Sequence, residues 1–366
     1  MQVGLQPDTT PIEGHCRAEA RPAIGYDAAP SARYTIFSMK LILAPMQGLT
    51  DVHMRDLLTR IAGPDGYDWC VSEFMRVTDR LLPARTIYQL CPELLTGSRT
   101  AAGTPVHVQL LGSEPAVLAE NAARVAELGA AGIDLNFGCP AKTVNFHRGG
   151  AILLDEPETV HAIVAAVRRA VPAAIPVSAK MRLGVNDRSR MLDNAQGIEA
   201  AGASWLTVHG RTKADGYRPP AYWDAIGEIR EAVQLNVIAN GDIIGEAEAE
   251  ACRQQSGCED LMLGRGAVTR PDLVCRLKGI ELKLDWPRLL VLQLEFLGQM
   301  RLASGQPVLA DGFSKWTEGG AVGRYKQWLG MLTLGYAEAV PLFDRVKRLK
   351  GLEEIRGILQ REINGT

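Results

Sequence analysis

The chain alternates short runs of apolar residues with longer stretches that favour helix. Eight of the short runs are nearly continuous in apolar residues, which is typical of strands covered on both faces, and they span residues 41–44, 69–73, 106–110, 133–137, 177–181, 205–208, 236–239 and 260–263. The intervening stretches are rich in Ala, Glu, Val and Arg, most clearly at residues 116–128, 157–170 and 194–201. Eight strand–helix units in succession predict an α/β fold, a parallel sheet closed into a (β/α)8 TIM barrel.

Glycines mark the ends of several predicted helices. Gly129, Gly132 and Gly202 stand where helix C-caps are expected. An open, doubly wound sheet is the alternative architecture, and its dinucleotide-binding form needs a G-x-G-x-x-G turn after an early strand. No such turn follows the first runs, so the closed barrel is the predicted fold.

The two ends of the chain differ from the predicted barrel domain, which spans residues 39–285. Residues 1–38 carry four prolines among scattered charges and no sustained period, so we expect a disordered extension. After residue 285 the strand signal stops, and residues 286–366 predict a separate helical domain. We expect its helices to be interrupted at Gly305-Gln306-Pro307, Gly319-Gly320 and Pro341.

Composition narrows the class of protein. The chain has 366 residues, of which 46% are apolar and 22% charged, enough to bury a large core. Its seven cysteines form no tight framework, which argues against a secreted disulfide scaffold. No apolar stretch approaches the roughly 20 residues of a membrane helix, and the N-terminus lacks the apolar core of a signal peptide. We therefore expect a cytoplasmic protein that contacts no membrane. We also expect a monomer, although the sequence by itself does not give the oligomeric state.

Charge is unevenly distributed along the chain. The formal net charge is −2, yet residues 286–366 hold 11 Lys and Arg against 8 Asp and Glu. Several of these cations lie close to aromatic residues, a mixture suited to phosphate contact and base stacking. The alternative is an ordinary solvated helix face. The residues concerned are Arg324, Tyr325, Lys326, Trp328, Arg345, Lys347, Arg348 and Lys350.

Two glycine-containing clusters follow the last two predicted strands. Barrels of this type commonly bind a phosphate group there, through backbone N–H groups and a helix N-terminus. Asn240-Gly241-Asp242 follows the seventh run, and Gly264-Arg265-Gly266 follows the eighth. Arg265 adds a planar guanidinium suited to phosphate oxygens. The clusters indicate a phosphorylated ligand, with two ordinary turns as the alternative.

Other strand ends indicate a flavin. Lys180 and Gln109 are expected to point into the same mouth, where a buried lysine needs an anionic partner or a shifted pKa. The N1–C2=O edge and pyrimidine part of a flavin ring offer suitable partners, and Pro45 and Met46 are placed to pack on its face. His209 either contacts the flavin or its phosphate, or is a histidine satisfied by local hydrogen bonds.

Cys139 lies between Gly138 and Pro140 in a strand-end loop, whereas Cys70, Cys252 and Cys275 lie in apolar runs. A free thiol has a pKa of about 8.5 and stays protonated at neutral pH, so it can act as a general acid. A thiolate assisted by His147, nearby in sequence, is the alternative. We expect no metal site, because Cys252 and Cys258 lack the spacing and second ligand pair of a zinc cluster.

Taken in order, these strand-end motifs closely resemble the tRNA-dihydrouridine synthase family. The resemblance extends from about Met39 to the C-terminus and rests on Ala44-Pro45-Met46, Gln109, Asn136-Phe137-Gly138-Cys139-Pro140, Lys180-Met181-Arg182, His209-Gly210-Arg211-Thr212, Asn240-Gly241 and Gly264-Arg265-Gly266. It implies that NADPH reduces a bound FMN, that hydride passes to C6 of a flipped-out uracil, and that Cys139 protonates C5. The residues implied in FMN binding are Pro45, Met46, Gln47, Gln109, Lys180, His209, Asn240, Gly241, Asp242, Gly264 and Arg265.

Further motifs resemble the bacterial type of this family that modifies U16 in the D-loop of tRNA. They are Glu73-Phe74-Met75-Arg76-Val77, Gly216-Tyr217-Arg218 and Arg324-Tyr325-Lys326-Gln327-Trp328. The resemblance implies tRNA contacts by Arg76, Asn136, Tyr217, Arg324, Lys326 and Lys347. Phe137 and Met331 depart from this pattern, since relatives often have Cys and Tyr there.

Two other functions remain open from the sequence. The first is a flavin barrel that reduces a free pyrimidine, as a dihydroorotate-dehydrogenase-like enzyme does, but it gives no reason for the basic C-terminal segment. The second is an RNA-binding barrel without a cofactor, but it gives no reason for Cys139, Lys180 and Gln109.

Overall fold

Eight parallel strands close into a barrel in the computed structural model of the chain, which describes residues 39–305 and 317–365. The ring closes because β1 pairs with both β2 and β9, and β2 also pairs with β4. A two-residue strand, β3, continues beyond β2 along β4. The strands are β1 Leu41–Leu43, β2 Trp69–Val71, β3 Met75–Arg76, β4 Val106–Leu111, β5 Ile133–Phe137, β6 Val177–Arg182, β7 Trp205–His209, β8 Asn236–Asn240 and β9 Leu261–Leu263.

Helices connect the strands in the order that the sequence predicts, so the TIM-barrel prediction is confirmed. The helices up to the end of the barrel are α1 Val52–Ala62, α2 Ala84–Leu90, α3 Pro115–Glu127, α4 Lys142–Phe146, α5 Pro157–Ala170, α6 Met191–Ala200, α7 Trp223–Ala232, α8 Glu246–Ser256, α9 Arg265–Thr269 and α10 Leu273–Lys278. Two 3-10 helices, Pro92–Thr96 and Gly150–Asp155, lie among them. The predicted extension at residues 1–38 lies outside the described residues.

The C-cap prediction is right for two of the three glycines. Gly129 and Gly202 have φ angles of 88° and 87°, the left-handed conformation that ends a helix. Gly132 has no positive φ and is not a cap. A Cβ at Gly132 would lie 2.7 Å from atoms of the His107 ring, so this glycine permits close packing inside the barrel wall.

Aromatic rings pack together at the amino ends of the strands. Trp69, His107 and Trp205 have ring centroids 5.0 to 5.6 Å apart and lie at the starts of β2, β4 and β7. Burial lowers the pKa of His107 to about 4, so this ring stays neutral. The cluster closes one end of the barrel with apolar surface, which leaves the carboxyl ends of the strands for polar chemistry.

Four helices follow the barrel: α11 Trp286–Gly305, α12 Glu318–Leu332, α13 Ala339–Val346 and α14 Leu352–Asn364. The expected interruptions at Gly319-Gly320 and Pro341 are wrong, because both lie in the first turns of helices, where a missing or flexible donor costs little. Part of the third expected interruption, Gly305-Gln306-Pro307, lies outside the described residues. In the described part of the chain, no helix has the length and apolar character needed to cross a membrane.

The aromatic residues expected to stack on bases form the core of this helical segment instead. Tyr325 and Trp328 are fully buried. The Tyr325 hydroxyl donates to Gln293 at 3.0 Å, and the Trp328 ring packs edge-on against Phe296 at 5.0 Å. Their helical spacing marks one buried face of α12, so neither ring is available to RNA.

Candidate active site

A cavity of about 590 Å³ opens at the carboxyl ends of the barrel strands. Fourteen residues singled out from the sequence line it together, although they come from seven strand ends or adjoining loops. They are Pro45, Met46, Gln47, Gln109, Asn136, Cys139, Lys180, His209, Tyr217, Asn240, Gly241, Asp242, Gly264 and Arg265. The volume is within the roughly 300–1,000 Å³ range of cofactor and ligand sites.

A buried carboxylate supports the polar side of this cavity. Asp134 on β5 accepts from Gln109 Nε2 at 2.6 Å and from the Ser178 hydroxyl at 2.6 Å. Gln109 Oε1 in turn accepts from Asn136 Nδ2 at 2.8 Å. Burial raises the pKa of Asp134. The hydrogen bonds from Gln109 and Ser178 oppose that rise, and so does the positive charge of nearby Lys180. Asp134 was not among the site residues predicted from the sequence, although a lone charge inside an apolar strand run is a usable signal.

Lys180 is buried beside this group. Its Nζ donates to Asn240 Oδ1 at 2.9 Å, and Asn240 Nδ2 donates to the Met262 carbonyl at 2.8 Å. Burial, with a smaller contribution from Arg182, lowers the pKa of Lys180 to about 8. The Lys180 side chain therefore loses its positive charge as the pH rises through about 8. An anionic partner in the cavity would stabilise the charged form.

The Cys139 loop is fixed by side chains on both sides. Asn136 Oδ1 accepts from the backbone N–H groups of Gly138 and Cys139, each at 2.9 Å. The Cys139 carbonyl accepts from Asn145 Nδ2 at 2.9 Å and from the Ala151 N–H at 3.0 Å. The thiol is therefore held at the cavity wall by its own main chain.

Burial raises the pKa of the Cys139 thiol above its ordinary value, against smaller opposing effects of a backbone hydrogen bond and of Arg182. The thiol is thus protonated at neutral pH and suited to donate a proton. His147 lines a neighbouring groove rather than this cavity, which weakens the alternative of a thiolate assisted by that ring.

Arg182 links the cysteine loop to the loop after β7. It is buried, and it donates to the carbonyls of Gly138 at 2.8 Å, Thr212 at 2.9 Å and Gly216 at 2.8 Å. The adjacent Tyr217 is 60% exposed at the cavity mouth, with its ring 5.2 Å from the Arg182 guanidinium carbon. The sequence motif contained Arg182, but only Lys180 was given a role.

A cluster of cationic side chains surrounds Asp242 at the other side of the cavity. The carboxylate accepts from the buried Arg211 and from Arg265, the latter at 3.0 Å. The Asp242 carboxylate thereby holds both guanidinium groups in place. Arg265 remains 45% exposed and faces the cavity.

His209 lies against this cluster as a neutral ring. Burial and the charges of Lys180, Arg182, Arg211 and Arg265 lower its pKa well below the ordinary value. Arg211 Nη1 lies 3.2 Å from His209 Nε2, and a guanidinium only donates. Nε2 is therefore the acceptor, which leaves Nδ1 as the protonated nitrogen.

The loop from β1 to α1 forms part of the cavity wall and is held by two buried groups. Glu73 accepts from the Gly48 N–H. Arg55 donates to the Thr50 carbonyl at 2.8 Å and forms a buried, two-pronged ion pair with Glu93. Pro45, Met46 and Gln47 are thereby presented to the cavity from a fixed backbone.

Arg324 reaches the same loop from α12. The guanidinium donates to Asp51 at 3.0 Å, to the carbonyls of Gly48 at 2.7 Å and Leu49 at 2.5 Å, and to Gln327. The residue is buried. The expected contact of Arg324 with tRNA phosphate is therefore not supported, since its donors already join the helical segment to the cavity wall.

Of the other predicted tRNA contacts, Asn136 and Tyr217 line the cavity, whereas the remaining three are dispersed outside it. Lys326 is partly buried and donates to the Leu349 carbonyl. Lys347 is 42% exposed and pairs with Asp344 at 2.6 Å. Arg76 is half-buried at a groove beside the cavity. None of these three lines the cavity itself.

We expect Arg324→Ala to lower the free energy of unfolding by about 3–5 kcal/mol, because removal of one partner leaves Asp51 buried and uncompensated. Lys347→Ala is the matched control, and its exposed i,i+3 pair predicts a change of at most about 0.5 kcal/mol. Urea denaturation followed by circular dichroism compares the two. Equal stabilities for the two variants would contradict the proposed anchoring role.

Comparisons with known proteins identify the family. The model of the family described as dihydrouridine synthase (Dus) matches residues 42–294. A tRNA-dihydrouridine(16) synthase of Aquipseudomonas alcaligenes is 50% identical over 326 residues, covering 88% of this chain and 99% of that protein. A tRNA-dihydrouridine(16) synthase of Pseudomonas putida is 51% identical over 315 residues, covering 85% and 93%.

A solved complex of a 2-naphthoyl-CoA reductase with 2-naphthoyl-CoA shares the fold alone. Its TM-score is 0.50 at 10% sequence identity, and the match covers 66% of this chain and 50% of that one. The family model and the two synthases cover most of the sequence, including every strand end that lines the cavity. The chain therefore belongs to the dihydrouridine synthase family.

Proposed function

We propose that the protein reduces a D-loop uridine of tRNA, U16, to 5,6-dihydrouridine, with FMN as resident cofactor and NADPH as reductant. The observation that carries the proposal is the protonated Cys139 thiol, held in the same cavity as Lys180 and the hydrogen-bonded amides of Gln109 and Asn136. A proton donor and polar side chains in one cavity suit hydride addition to a conjugated ring followed by protonation. Relatives named for this modification support the choice of substrate.

The residues present fit FMN. Lys180 offers a cation for the electron-rich edge of the flavin ring, and Gln109 has a free amide hydrogen and lone pair beyond its bonds to Asp134 and Asn136. Arg265 is available to the phosphate, beside the Gly264–Gly266 turn. A Cβ at Gly266 would lie 2.1 Å from the Ile243 carbonyl, so only glycine permits this close turn. When bound, FMN supplies the hydride that reduces the uracil C5–C6 bond.

The chain's own residues supply the remaining chemistry. Hydride addition at C6 of uracil places negative charge on the C5–C4=O unit, and a proton must reach C5. Cys139 delivers this proton, since its thiol is protonated and its loop is fixed by Asn136 and Asn145. Lys180 and neutral His209 orient the cofactor, and Arg265, held by Asp242, binds its phosphate.

Contacts with the remainder of the tRNA extend from the cavity mouth. Tyr217 presents an exposed ring there, and Arg76, Lys326 and Lys347 provide cationic sites farther away. Extrusion of a base costs a few kcal/mol of stacking, which aromatic and phosphate contacts offset. Arg324 is excluded from this set because its donors are already used. We propose that the enzyme acts as a cytoplasmic monomer.

The function is tested by incubating the protein with NADPH and an unmodified tRNA transcript, and then mapping dihydrouridine by nucleotide-resolved mass spectrometry. We expect dihydrouridine at position 16 and no reduction of free uracil or orotate. Dihydrouridine at another position would refute the U16 assignment. Comparable turnover of a free pyrimidine would refute tRNA as the substrate.

We expect Cys139→Ala to retain FMN and tRNA binding but to lower turnover by roughly 100-fold or more, the usual contribution of a general acid. The wild-type rate should be flat near neutrality and fall at alkaline pH, because the acid is lost only above the raised pKa of the thiol. Single-turnover assays from pH 6.5 to 9.5 measure the loss of turnover in the variant and the pH dependence of the wild-type rate. Full activity of Cys139→Ala would exclude the assigned role.

FMN affinity of the flavin-free protein should weaken as pH rises through about 8, where free Lys180 loses its proton. Below that pH the lysine is charged and affinity should be constant. By pH 9 we expect a loss of up to about tenfold, since one pKa unit corresponds to a tenfold ratio. Lys180→Met should bind FMN weakly and without this pH dependence in fluorescence titrations. A pH-independent wild type would count against a Lys180–flavin interaction.

A further inference from the structure

A second concave site, a groove of about 340 Å³, lies beside the active cavity. It shares no lining residue with the cavity. Its chemistry combines an aromatic ring with cations, and the side chains that define it are Arg76, Thr78, Ser113, Phe146, His147 and Arg148. We call it the β3–α4 groove.

The β3–α4 groove and the cavity are separated by the Cys139 loop. Cys139, Pro140 and Ala141 line the cavity, and α4 begins at the next residue. Asn145 ties α4 back to the loop, because its Nδ2 donates to the carbonyls of Cys139 at 2.9 Å and Ala141 at 2.7 Å. The proton donor thus stands on the wall common to both sites.

The spacing between the two sites is short. Phe74 lines the cavity, whereas Arg76, two residues along the same extended segment, lines the groove. Alternate residues of a strand share one face, about 6.6 Å apart. The buried Met75 lies between them and faces the opposite side. A nucleic-acid strand that places one base in the cavity therefore brings an adjoining nucleotide to the groove.

Phe146 is the unusual residue of the groove. It is 82% exposed at the end of α4, and the edge of the neighbouring His147 ring meets it at a centroid distance of 5.1 Å. A single exposed apolar residue is common and indicates nothing by itself. Here the exposed ring lies seven residues from the proton donor and beside the cation Lys142, also exposed, which is the arrangement that stacks a base beside its phosphate.

The charges of the groove complement a phosphate. The Arg76 side chain is half-buried and makes no hydrogen bond or ion pair with any residue in the described ranges, so its guanidinium is free to bind an anion. Arg148 is different, because Glu156 accepts two of its hydrogen bonds, at 2.8 and 2.7 Å, and largely neutralises it. Arg76 is therefore the cation that the groove offers to a ligand.

We propose that the β3–α4 groove is a subsite for the nucleotide adjoining the target uridine, whose base stacks on Phe146 and whose phosphate pairs with Arg76. The proposal rests on the proposed function, since it takes the cavity to hold a uridine of tRNA. The subsite makes Phe146 a substrate-binding residue for the nucleotide beside the target, and stacking on its ring accepts any base there.

Binding of a fluorescent, unmodified tRNA transcript to the FMN-loaded protein tests the subsite. We expect Phe146→Ala and Phe146→Leu to raise Kd at least about fivefold, because a base loses its stacking partner, and Phe146→Tyr to stay within about twofold. Leu95→Ala is the control, since Leu95 is 45% exposed and precedes β4 at the other end of the barrel. Tyr and Leu variants of equal affinity would overturn the proposal, as would an unchanged Phe146→Ala. NADPH oxidation by oxygen, without tRNA, should be the same in all variants.

Transcripts with a single abasic site next to the target identify the stacked base. An abasic site on one side of the uridine should raise the wild-type Kd as much as Phe146→Ala does. The abasic transcript and the Phe146→Ala variant together should raise Kd no more than either change alone. Additive effects on both sides would overturn the subsite. A wild-type protein that binds the transcript but forms no dihydrouridine would instead refute the proposed function, so the two failures are distinguishable.

Discussion

The buried carboxylate of Asp134 is the interaction on which the polar side of the cavity depends. A charged group in a barrel interior is tolerated only where donors surround it, and Asp134 has Gln109 and Ser178 as donors and Lys180 nearby. Gln109 accepts a hydrogen bond from Asn136 and so orients it, and Asn136 in turn accepts from the backbone N–H of Cys139. The orientation of the proposed proton donor is thus set by a chain of hydrogen bonds that begins at one strand residue.

Buried arginines perform the corresponding task for the loops. Arg182 holds the cysteine loop to the loop after β7, and Arg324 holds the β1–α1 loop to the helical segment. A guanidinium carries five donors in a rigid plane, so one side chain satisfies several carbonyls that the loops leave unpaired. This explains how irregular backbone at the barrel mouth is kept in place before any ligand binds. It also means that the helical segment contributes directly to the shape of the cavity.

Sequence reasoning succeeded where one local pattern has one structural consequence. Apolar runs separated by helical stretches predicted the barrel, and residues that directly follow the runs predicted the cavity lining. It failed for Gly132, Arg324, Tyr325 and Trp328. A glycine after a helix resembles a cap whether or not it has a positive φ, and cations beside aromatic residues on a helix resemble an RNA-binding face whether they point outward or inward.

The sequence by itself determined the order of strands and helices and the set of residues at the carboxyl ends of the strands, because periodicity and parallel connection leave little choice. Only the tertiary structure decided which polar side chains are hydrogen-bonded to other residues of the chain and are therefore not available to a ligand. Asp134 and Arg324 are distant in sequence from the groups they bind, by 25 residues to Gln109 and 273 to Asp51. The protonation of Cys139, Lys180 and His209 likewise depends on burial and on neighbours from other strands, which no local pattern contains.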